Sequence, residues 1–313
     1  MTLPDFVSAA LSSTNLNKPV PDKLPVSSVD PFSHDLAWPL LRSLRKCSHD
    51  FGLISPGDHI AVAVSGGKDS SVLAYLLHQL KTRHLLPFDN WSFTTVHLDQ
   101  VQPGHDPSSL GDWLEGQGIE YHLVREDTYS VVKDKTAPGR SYCSLCSRLR
   151  RGILYSVASD LGCNRLALGH HRDDALETMM MNMCHQGQLK ALPARYVAAR
   201  GLDVIRPLMY CAESDIATFA TENGFPILPC NLCGSQPDGT PGQRAQMKLL
   251  LAALDTLGDG QARRNMLSAL ADIRPTHLLD RKLREACGLD AGSGAVVHER
   301  GRLVAHEPEG AEE

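Results

Sequence analysis

The chain has 313 residues, of which 42% are hydrophobic and 21% are charged, and its formal net charge is −5. This length suits one large domain or two smaller ones, and the composition excludes collagen-like, fully disordered and heptad-repeat chains. No run of 18 apolar residues occurs, so we expect no transmembrane helix. The acidic balance argues against non-specific DNA binding, but it allows a nucleic-acid enzyme with a local basic patch.

Composition and apolar spacing divide the chain into four predicted regions. Residues 1–35 are rich in Pro, Ser and Asn and are predicted to be a flexible extension. Residues 36–222 form a domain of alternating strands and helices with an N-terminal helix. Residues 223–287 contain a cysteine loop followed by helices, and residues 288–313 form a flexible acidic tail.

Strands and helices alternate through the second region. The predicted strands are Ile60–Val64, Phe93–Leu98, Tyr121–Val124 and Arg165–Leu168. The predicted helices are Leu40–Phe51, Asp69–Leu80, Leu110–Gly118, Leu145–Leu161, Asp173–Cys184, Glu213–Glu222, Gln243–Leu257 and Ala262–Ile273. This order indicates an α/β fold, a parallel sheet covered by helices with a small helical C-terminal part. Ligands of such sheets bind at the carboxyl ends of the strands.

The first strand runs directly into the hexapeptide Ser65–Ser70, where the next helix begins. Gly66 and Gly67 carry no Cβ, so their backbone amides can close around an anion, and the helix N-terminus favours negative charge. The two serines add hydroxyl donors, Lys68 adds a positive charge, and Asp69 is placed to bind Mg²⁺. The spacing matches neither a Walker A loop nor a dinucleotide fingerprint. An ordinary Gly-rich turn is the alternative.

The hexapeptide resembles the PP-loop of the N-type ATP pyrophosphatases. This resemblance implies cleavage of ATP between the α and β phosphates and adenylation of an oxygen of the substrate. Asp99 ends the second strand, where resembling enzymes hold the nucleoside; it could also be a strand-end turn residue. Asp173 and Asp174 either cap the following helix or contact ATP or Mg²⁺, and we favour the contact. The predicted ATP-binding residues are Ser65, Gly66, Gly67, Lys68, Asp69, Ser70, Asp99, Gly169 and Asp174, with Lys68 and Asp69 as the catalytic pair.

Cysteine is the unusual residue type, with nine copies. The odd number and the absence of a visible secretory signal argue against a disulfide framework. Four cysteines form the pairs Cys143/Cys146 and Cys230/Cys233, which are too far apart for a zinc ribbon. Thiolates suit zinc or an iron–sulfur cluster, and a four-cysteine zinc site or a redox dithiol are alternatives. The remaining cysteines are expected to be small buried residues: Cys47, Cys163, Cys184, Cys211 and Cys287.

Several longer stretches resemble the tRNA 2-thiocytidine synthase family, TtcA. They are Cys143–Tyr155, Ala167–Asp174, Ile205–Leu208 and Pro229–Gln236, and the likeness extends over about Leu40–Leu279. The resemblance implies thiolation of cytidine 32 in the tRNA anticodon loop, by adenylation of the C2 oxygen and sulfur transfer through a [4Fe-4S] cluster. It also implies ATP and Mg²⁺, a cysteine desulfurase as sulfur donor, and a cytoplasmic homodimer.

The same resemblance selects the cluster ligands. It matches Cys143, Cys146 and Cys233 to the three ligands and leaves Cys230 outside the set. Three thiolates would leave one iron open for chemistry, as a catalytic zinc keeps an open position.

Three arginines follow the first cysteine pair, namely Arg148, Arg150 and Arg151. They are predicted to bind tRNA phosphates, with a solvated helix face or contact with an acidic partner as the alternatives. Two other functions stay open. One is a PP-loop tRNA-modifying ligase or amidotransferase with structural zinc, and the other is a zinc-stabilised nucleotide-binding adaptor without turnover.

Overall fold

The computed structural model describes residues 37–137, 142–198, 201–228 and 242–289, apart from the side chains of Cys143 and Ser144. The helices are α1 (Ala37–Phe51), α2 (Lys68–Thr82), α3 (Ser108–Gly116), α4 (Thr128–Lys135), α5 (Cys143–Asp160), α6 (Arg172–Met181), α7 (Glu213–Glu222), α8 (Gln243–Leu257), α9 (Ala262–Leu270) and α10 (Arg281–Ala286). The strands are β1 (His59–Ala63), β2 (Ser92–Asp99), β3 (Tyr121–Arg125), β4 (Arg165–Leu168), β5 (Arg195–Val197) and β6 (Asp203–Ile205). None of the helices in these ranges combines the length and the apolar content that a membrane crossing requires.

The strands form one six-stranded sheet in the order β3-β2-β1-β4-β6-β5. Strands β1 to β4 and β6 pair in parallel, and only β5 pairs antiparallel, with β6. In the middle of the sheet, Val62 lies opposite Thr95 on one side and Ala167 on the other. The predicted parallel α/β sheet is confirmed, with an antiparallel edge strand added to it. The carboxyl ends of β1, β2 and β4 meet at one edge.

Burial explains why β1 is a continuous apolar run. Ile60, Ala61 and Val62 are fully buried, because helices cover both faces of a parallel sheet. Helix α1 buries its own apolar face, with Leu40 and Leu44 in the core, as its apolar spacing predicts. Each such aliphatic side chain contributes about 1.5–3 kcal/mol on burial. The sheet is therefore a rigid frame for the loops at its carboxyl edge.

Three parts of the fold differ from the sequence prediction. Helix α4 is absent from the predicted helices; the Asp127 carboxylate caps it by accepting from the Ser130 amide at 2.9 Å. The β5–β6 hairpin was missed because three residues per strand are too few to show alternation. The helix predicted to reach Cys184 ends at Met181 and continues as a π-helical turn over Asn182–Gln186.

The chain divides into two compact units, Met1–Leu254 and Asp255–Glu313. The first unit contains the sheet. In the second unit, the described residues form α9, a short 3₁₀ turn and α10, and Arg263 pairs with Asp255 at 3.1 Å.

Candidate functional site

The PP-loop, residues Ser65–Ser70, connects β1 to α2 at the carboxyl edge of the sheet. Gly66 has a φ of 82°, where glycine is favoured, and a Cβ at this position would lie 2.8 Å from the Cβ of Leu228. The Leu228 amide also donates to the Gly66 carbonyl at 2.8 Å. Gly67 is the N-cap of α2 and has no side chain to cap it, so the first-turn amides remain available to an anion.

The two serines of the PP-loop shape the turn. The Ser65 amide donates to Ser70 Oγ at 3.0 Å, and that hydroxyl donates to the Gly67 carbonyl at 3.0 Å. The hydroxyls of Ser65 and Ser70 lie 3.2 Å apart. Ser70 is buried and Ser65 is exposed. Ser65 is therefore the serine whose hydroxyl is better placed to meet a ligand.

Gly169 brings a second segment against the PP-loop. It follows β4 directly, and a Cβ on it would lie 2.9 Å from both Cα and N of Ser70. A larger residue would push the start of α6 away from the loop. The close approach thus places Asp173 and Asp174 beside the phosphate-binding turn.

Lys68 takes part in a chain of ion pairs. Its ammonium lies 3.1 Å from Asp69 and 3.2 Å from Glu213, and Glu213 also contacts Lys248 at 2.7 Å. Burial opposes the charge on Lys68, but the carboxylates of Asp69 and Glu213 raise its pKa. Burial likewise opposes ionisation of Glu213, but Lys248 and Lys68 hold its pKa at about 2. Both groups are charged at neutral pH.

Asp69 is the carboxylate that the sequence predicts to bind Mg²⁺. Its Oδ1 atom is buried and accepts no hydrogen bond; its ion-pair contacts are Lys68 at 3.1 Å and His171 Nε2 at 3.7 Å. Within the described ranges, no three His, Cys, Asp or Glu side chains converge on a ready-made metal site. Mg²⁺ is commonly held by one or two carboxylates together with substrate phosphates. The arrangement fits a Mg²⁺ site that is completed by substrate phosphates.

The two acids at the start of α6 have different partners. His171 and Asp174 form a capping box, with the Asp174 carboxylate accepting from the His171 amide at 3.1 Å. Asp173 is 2% exposed and accepts from the Glu213 amide at 2.8 Å, so it joins α6 to α7. The capping role considered for Asp174 is therefore present. A contact between Asp174 and ATP or Mg²⁺ stays a prediction.

Helix α8 contacts acidic residues of α6 and α7 through two basic residues one turn apart. Arg244 lies 2.9 Å from Asp174 and 3.2 Å from Glu177, and Lys248 lies 2.7 Å from Glu213. These contacts leave no signal in the sequence because the partners are far apart along the chain.

A cleft of about 480 Å³ opens beside the PP-loop. It is lined by Ala63, Ser65, Asp69, Ser70, Ser147, Arg150, Arg151, Leu154, Leu168, Gly169, His170, Asp174, Leu192, Tyr196 and Arg206. Its size is in the range of small-molecule sites. The structure therefore brings five of the predicted ATP-binding residues together with two of the predicted tRNA-binding arginines.

Among the predicted ATP- and tRNA-binding residues outside the PP-loop, Arg148 and Asp99 do not line this cleft, and within the PP-loop Gly66, Gly67 and Lys68 do not. Arg148 is exposed elsewhere on α5. Asp99 is 2% exposed, lies 3.3 Å from Arg125 Nε, and accepts from the Val101 amide at 2.8 Å. Asp99 thus has the contacts of a strand-end turn residue, and its contact with a nucleoside stays a prediction. A small recess near it is lined by Ser65, His97, Leu98, Gln100, Gln102, His105 and Arg150.

The predicted cluster cysteines are only partly described. Cys146 is buried, and its thiol donates to Gln100 Oε1 at 3.3 Å. Cys143 begins α5, one turn before Cys146, and its side chain lies outside the described residues. Cys230 and Cys233 also lie outside them. The structure therefore locates one thiol, close to the cleft-lining part of α5.

Three of the remaining cysteines are buried, as predicted: Cys47, Cys163 and Cys211. Burial raises the pKa of Cys47 to about 12 and that of Cys163 to about 11, so both are protonated thiols at neutral pH. The prediction is wrong for Cys184, which is exposed because it lies on the π-helical turn after α6. Cys287 is half-buried.

The far wall of the cleft is the part formed by His170, Tyr196 and Arg206, none of which was predicted to be a site residue. Arg206 is 6% exposed and donates to the Pro193 carbonyl at 2.6 Å and to His170 Nδ1 at 3.4 Å. Its guanidinium lies 5.2 Å from the ring centre of Tyr196. Removal from water, and then the charge of Arg206, lower the pKa of His170 to about 4. The available signal was the family resemblance of Ile205–Leu208, which contains Arg206, but that resemblance assigned the residue no role.

Comparison with known proteins gives consistent matches. The family profile described as a PP-loop domain matches residues 39–227. A tRNA-cytidine(32) 2-sulfurtransferase from Sorangium cellulosum is 47% identical over 252 residues, which cover 80% of this chain and 87% of the relative. A protein of the same name from Tolumonas auensis is 46% identical, covering 82% and 83%.

Among solved structures, the chain is similar to the U34-tRNA thiolase NcsA from Methanococcus maripaludis with its [4Fe-4S] cluster. The TM-score is 0.57 and the identity 24%, over 74% of this chain and 78% of that one. At this identity the likeness establishes a shared fold.

Proposed function

Because the chain belongs to the tRNA-cytidine(32) 2-sulfurtransferase family of enzymes, we propose that it thiolates cytidine 32 of tRNA with ATP and a [4Fe-4S] cluster. One observation carries the proposal. The PP-loop and the helix that begins with Cys143 and Cys146 border the same cleft, through Asp69 on one side and Arg150 on the other. ATP chemistry and thiol chemistry would then act on one substrate base bound in this cleft.

The first step is adenylation of the base. The C2 oxygen of cytidine attacks the α-phosphorus of ATP. The bond between that phosphorus and the oxygen bridging the α and β phosphates breaks, and pyrophosphate leaves. The oxygen on C2 is then part of AMP, a good leaving group that sulfur can replace. The first-turn amides of α2 would hold the phosphates, and charged Lys68 would stabilise the negative charge that develops on them.

Mg²⁺ would fit beside Asp69, whose buried Oδ1 accepts no hydrogen bond and has the Lys68 ammonium 3.1 Å away. Asp69 and Asp174 would hold the ion together with phosphate oxygens, in keeping with the preference of Mg²⁺ for oxygen ligands. When bound, it would neutralise phosphate charge. His171 Nε2 lies 3.7 Å from Asp69 and 3.5 Å from Asp174, so the imidazole is close to both carboxylates.

The donor set fits a [4Fe-4S] cluster. Two cysteines lie one turn apart at the start of α5, and the Cys146 thiol is shielded from solvent beside Gln100. Soft thiolates are the usual ligands of such clusters. Cys143, Cys146 and Cys233 would hold it, and when bound it would supply an open iron site for sulfur.

The tRNA would be held by the arginines of α5. Arg150 and Arg151 line the cleft, and Arg148 lies exposed two residues earlier. Their charges would neutralise phosphates of the anticodon loop. A cysteine desulfurase as sulfur donor, a homodimer and a cytoplasmic location complete the proposal and are supported by the sequence resemblance.

The cysteines provide the test. Protein purified anaerobically should be coloured and contain iron and sulfide. Single alanine variants, reconstituted with iron and sulfide, should lose iron and 2-thiocytidine formation at Cys143, Cys146 and Cys233 and retain both at Cys230. Loss of both at Cys230 with retention at Cys233 would reverse the ligand assignment. A colourless, zinc-containing wild-type protein would contradict the cluster and favour a ligase.

A further inference from the structure

The far wall of the cleft contains an aromatic ring that is fixed on two sides. Tyr196 lies on the edge strand β5 and is half-buried. Its hydroxyl is 3.0 Å from the hydroxyl of Tyr155 on α5, and the Arg206 guanidinium lies over its ring at 5.2 Å. Arg206 is itself held by the Pro193 carbonyl at 2.6 Å. The ring therefore has a defined orientation without any ligand.

These contacts make Tyr196 suitable for binding a flat base. An aromatic ring that does not have to be ordered on binding loses little conformational entropy, and bases stack on such rings irrespective of sequence. The neighbouring wall is apolar at Leu154 and Leu192, while Arg206, which also lines the cleft, places its charge over the ring. A pyrimidine that leaves the RNA stack needs this combination of an aromatic surface and a polar margin.

Strand order indicates which base would lie there. The PP-loop follows β1, with β2 on one side and β4, β6 and β5 on the other. On the β2 side, a cleft of about 470 Å³ lined by Asp99 and Tyr121 would give the nucleoside of ATP a place. It adjoins, through His105, the small recess that includes Ser65. The β5 side, with Tyr196, then remains for the second reactant, whose oxygen must reach the α-phosphorus at the PP-loop.

We propose that Tyr196 is the stacking platform for the target cytosine, held in place by Tyr155 and Arg206. This assignment rests on the proposed function, since it requires a base to enter the cleft beside ATP. Arg150 and Arg151, on the neighbouring wall of α5, would hold the phosphates on either side of that base. Substrate recognition would therefore be divided between an aromatic contact to the base and ionic contacts to the backbone.

The test compares two anticodon stem-loop RNAs, one with cytidine at position 32 and one abasic at that position. Holoprotein should bind the cytidine RNA about tenfold more tightly. Tyr196→Ala should bind both RNAs with the affinity of wild type for the abasic one, with ATP affinity unchanged. Tyr196→Leu fills the space without an aromatic face and should give the same result, which guards against a folding defect in the alanine variant. Tyr196→Phe keeps the ring and should keep most of the preference.

Retention of the preference in Tyr196→Ala and Tyr196→Leu would overturn the assignment. Weakened ATP binding with an intact preference would show that Tyr196 stacks on adenine instead. Wild-type thiolation of the cytidine RNA is measured in parallel. If it occurs while the preference is independent of Tyr196, only this inference fails. If wild type neither thiolates nor distinguishes the RNAs, the proposed function fails.

Discussion

The ammonium of Lys68 in the PP-loop lies 3.2 Å from the carboxylate of Glu213 at the start of α7. Lys248 on α8 contacts the same carboxylate at 2.7 Å. Glu213 is therefore shared between a residue proposed to bind phosphate and a helix that follows the cysteine loop. Phosphates arriving at the PP-loop would compete with Glu213 for Lys68.

Glu213→Gln should bind ATP about two- to fivefold more tightly, because a partly exposed ion pair of this kind is worth up to about 1 kcal/mol. Competition titration with a fluorescent ATP analogue measures the change. Lys248→Gln is the matched control: it also removes the contact to α8, but it leaves Glu213 wholly to Lys68. That variant should bind ATP no more tightly than wild type. Tighter binding in both variants would attribute the effect to α8 and not to Lys68.

Lys68→Ala and Asp69→Ala should each lower ATP-dependent thiolation by about 100-fold or more, because each removes a group that acts on the phosphates or their metal. The visible absorbance of the cluster should be unchanged, which separates loss of ATP chemistry from loss of iron. Lys81→Ala, in the last turn of the same helix, should keep wild-type activity. Normal thiolation by both PP-loop variants would refute the phosphate-binding assignment.

The double variant Arg150→Ala/Arg151→Ala should weaken tRNA binding and flatten its dependence on salt. Each phosphate contact that is lost lowers the slope of log K against log salt by about one. The corresponding double lysine variant keeps both charges and should keep the slope. If the alanine variant shows the wild-type slope, the two arginines do not contact phosphate in the complex.

His170 should make stability depend on pH. Its pKa is lowered from 6.5 to about 4 by removal from water and by Arg206. Between these two values the unfolded chain binds a proton that the folded chain excludes. The stabilisation is therefore complete above pH 6.5 and is lost as the pH falls toward 4.

Urea unfolding at pH 7 and pH 5 measures this effect. His170→Gln should lose less stability than wild type between the two pH values, since glutamine does not titrate. Equal losses in the two proteins would show that His170 does not contribute. Other buried histidines contribute equally to both curves and cancel in the comparison.

The parts of the fold that were predictable are those encoded locally. The apolar run of β1, the glycines of the PP-loop and the start of α2 lie within a dozen residues, and strand alternation alone indicates the parallel sheet. Contacts between distant residues were not predictable. Neither Leu228 over Gly66 nor Arg244 beside Asp174 leaves a periodic signal, since each depends on how separate segments pack.

The far wall of the cleft shows the same limit. Tyr196 lies in a three-residue strand too short to recognise, and its partner Tyr155 is 41 residues away on α5. A tyrosine pair at this separation resembles ordinary core residues in the sequence. Only the antiparallel pairing of β5 with β6 brings Tyr196 to the cleft.

The position of sulfur in the product RNA decides between thiolation of cytidine 32 and every other PP-loop chemistry. Anaerobically reconstituted protein is incubated with unmodified tRNA, ATP, Mg²⁺ and sulfide, and the RNA is digested and mapped by mass spectrometry. We predict one 2-thiocytidine, at position 32, with pyrophosphate released and no product when ATP is omitted or Cys146 is replaced by alanine. Sulfur at another nucleotide, or modification without sulfur, would contradict the proposal.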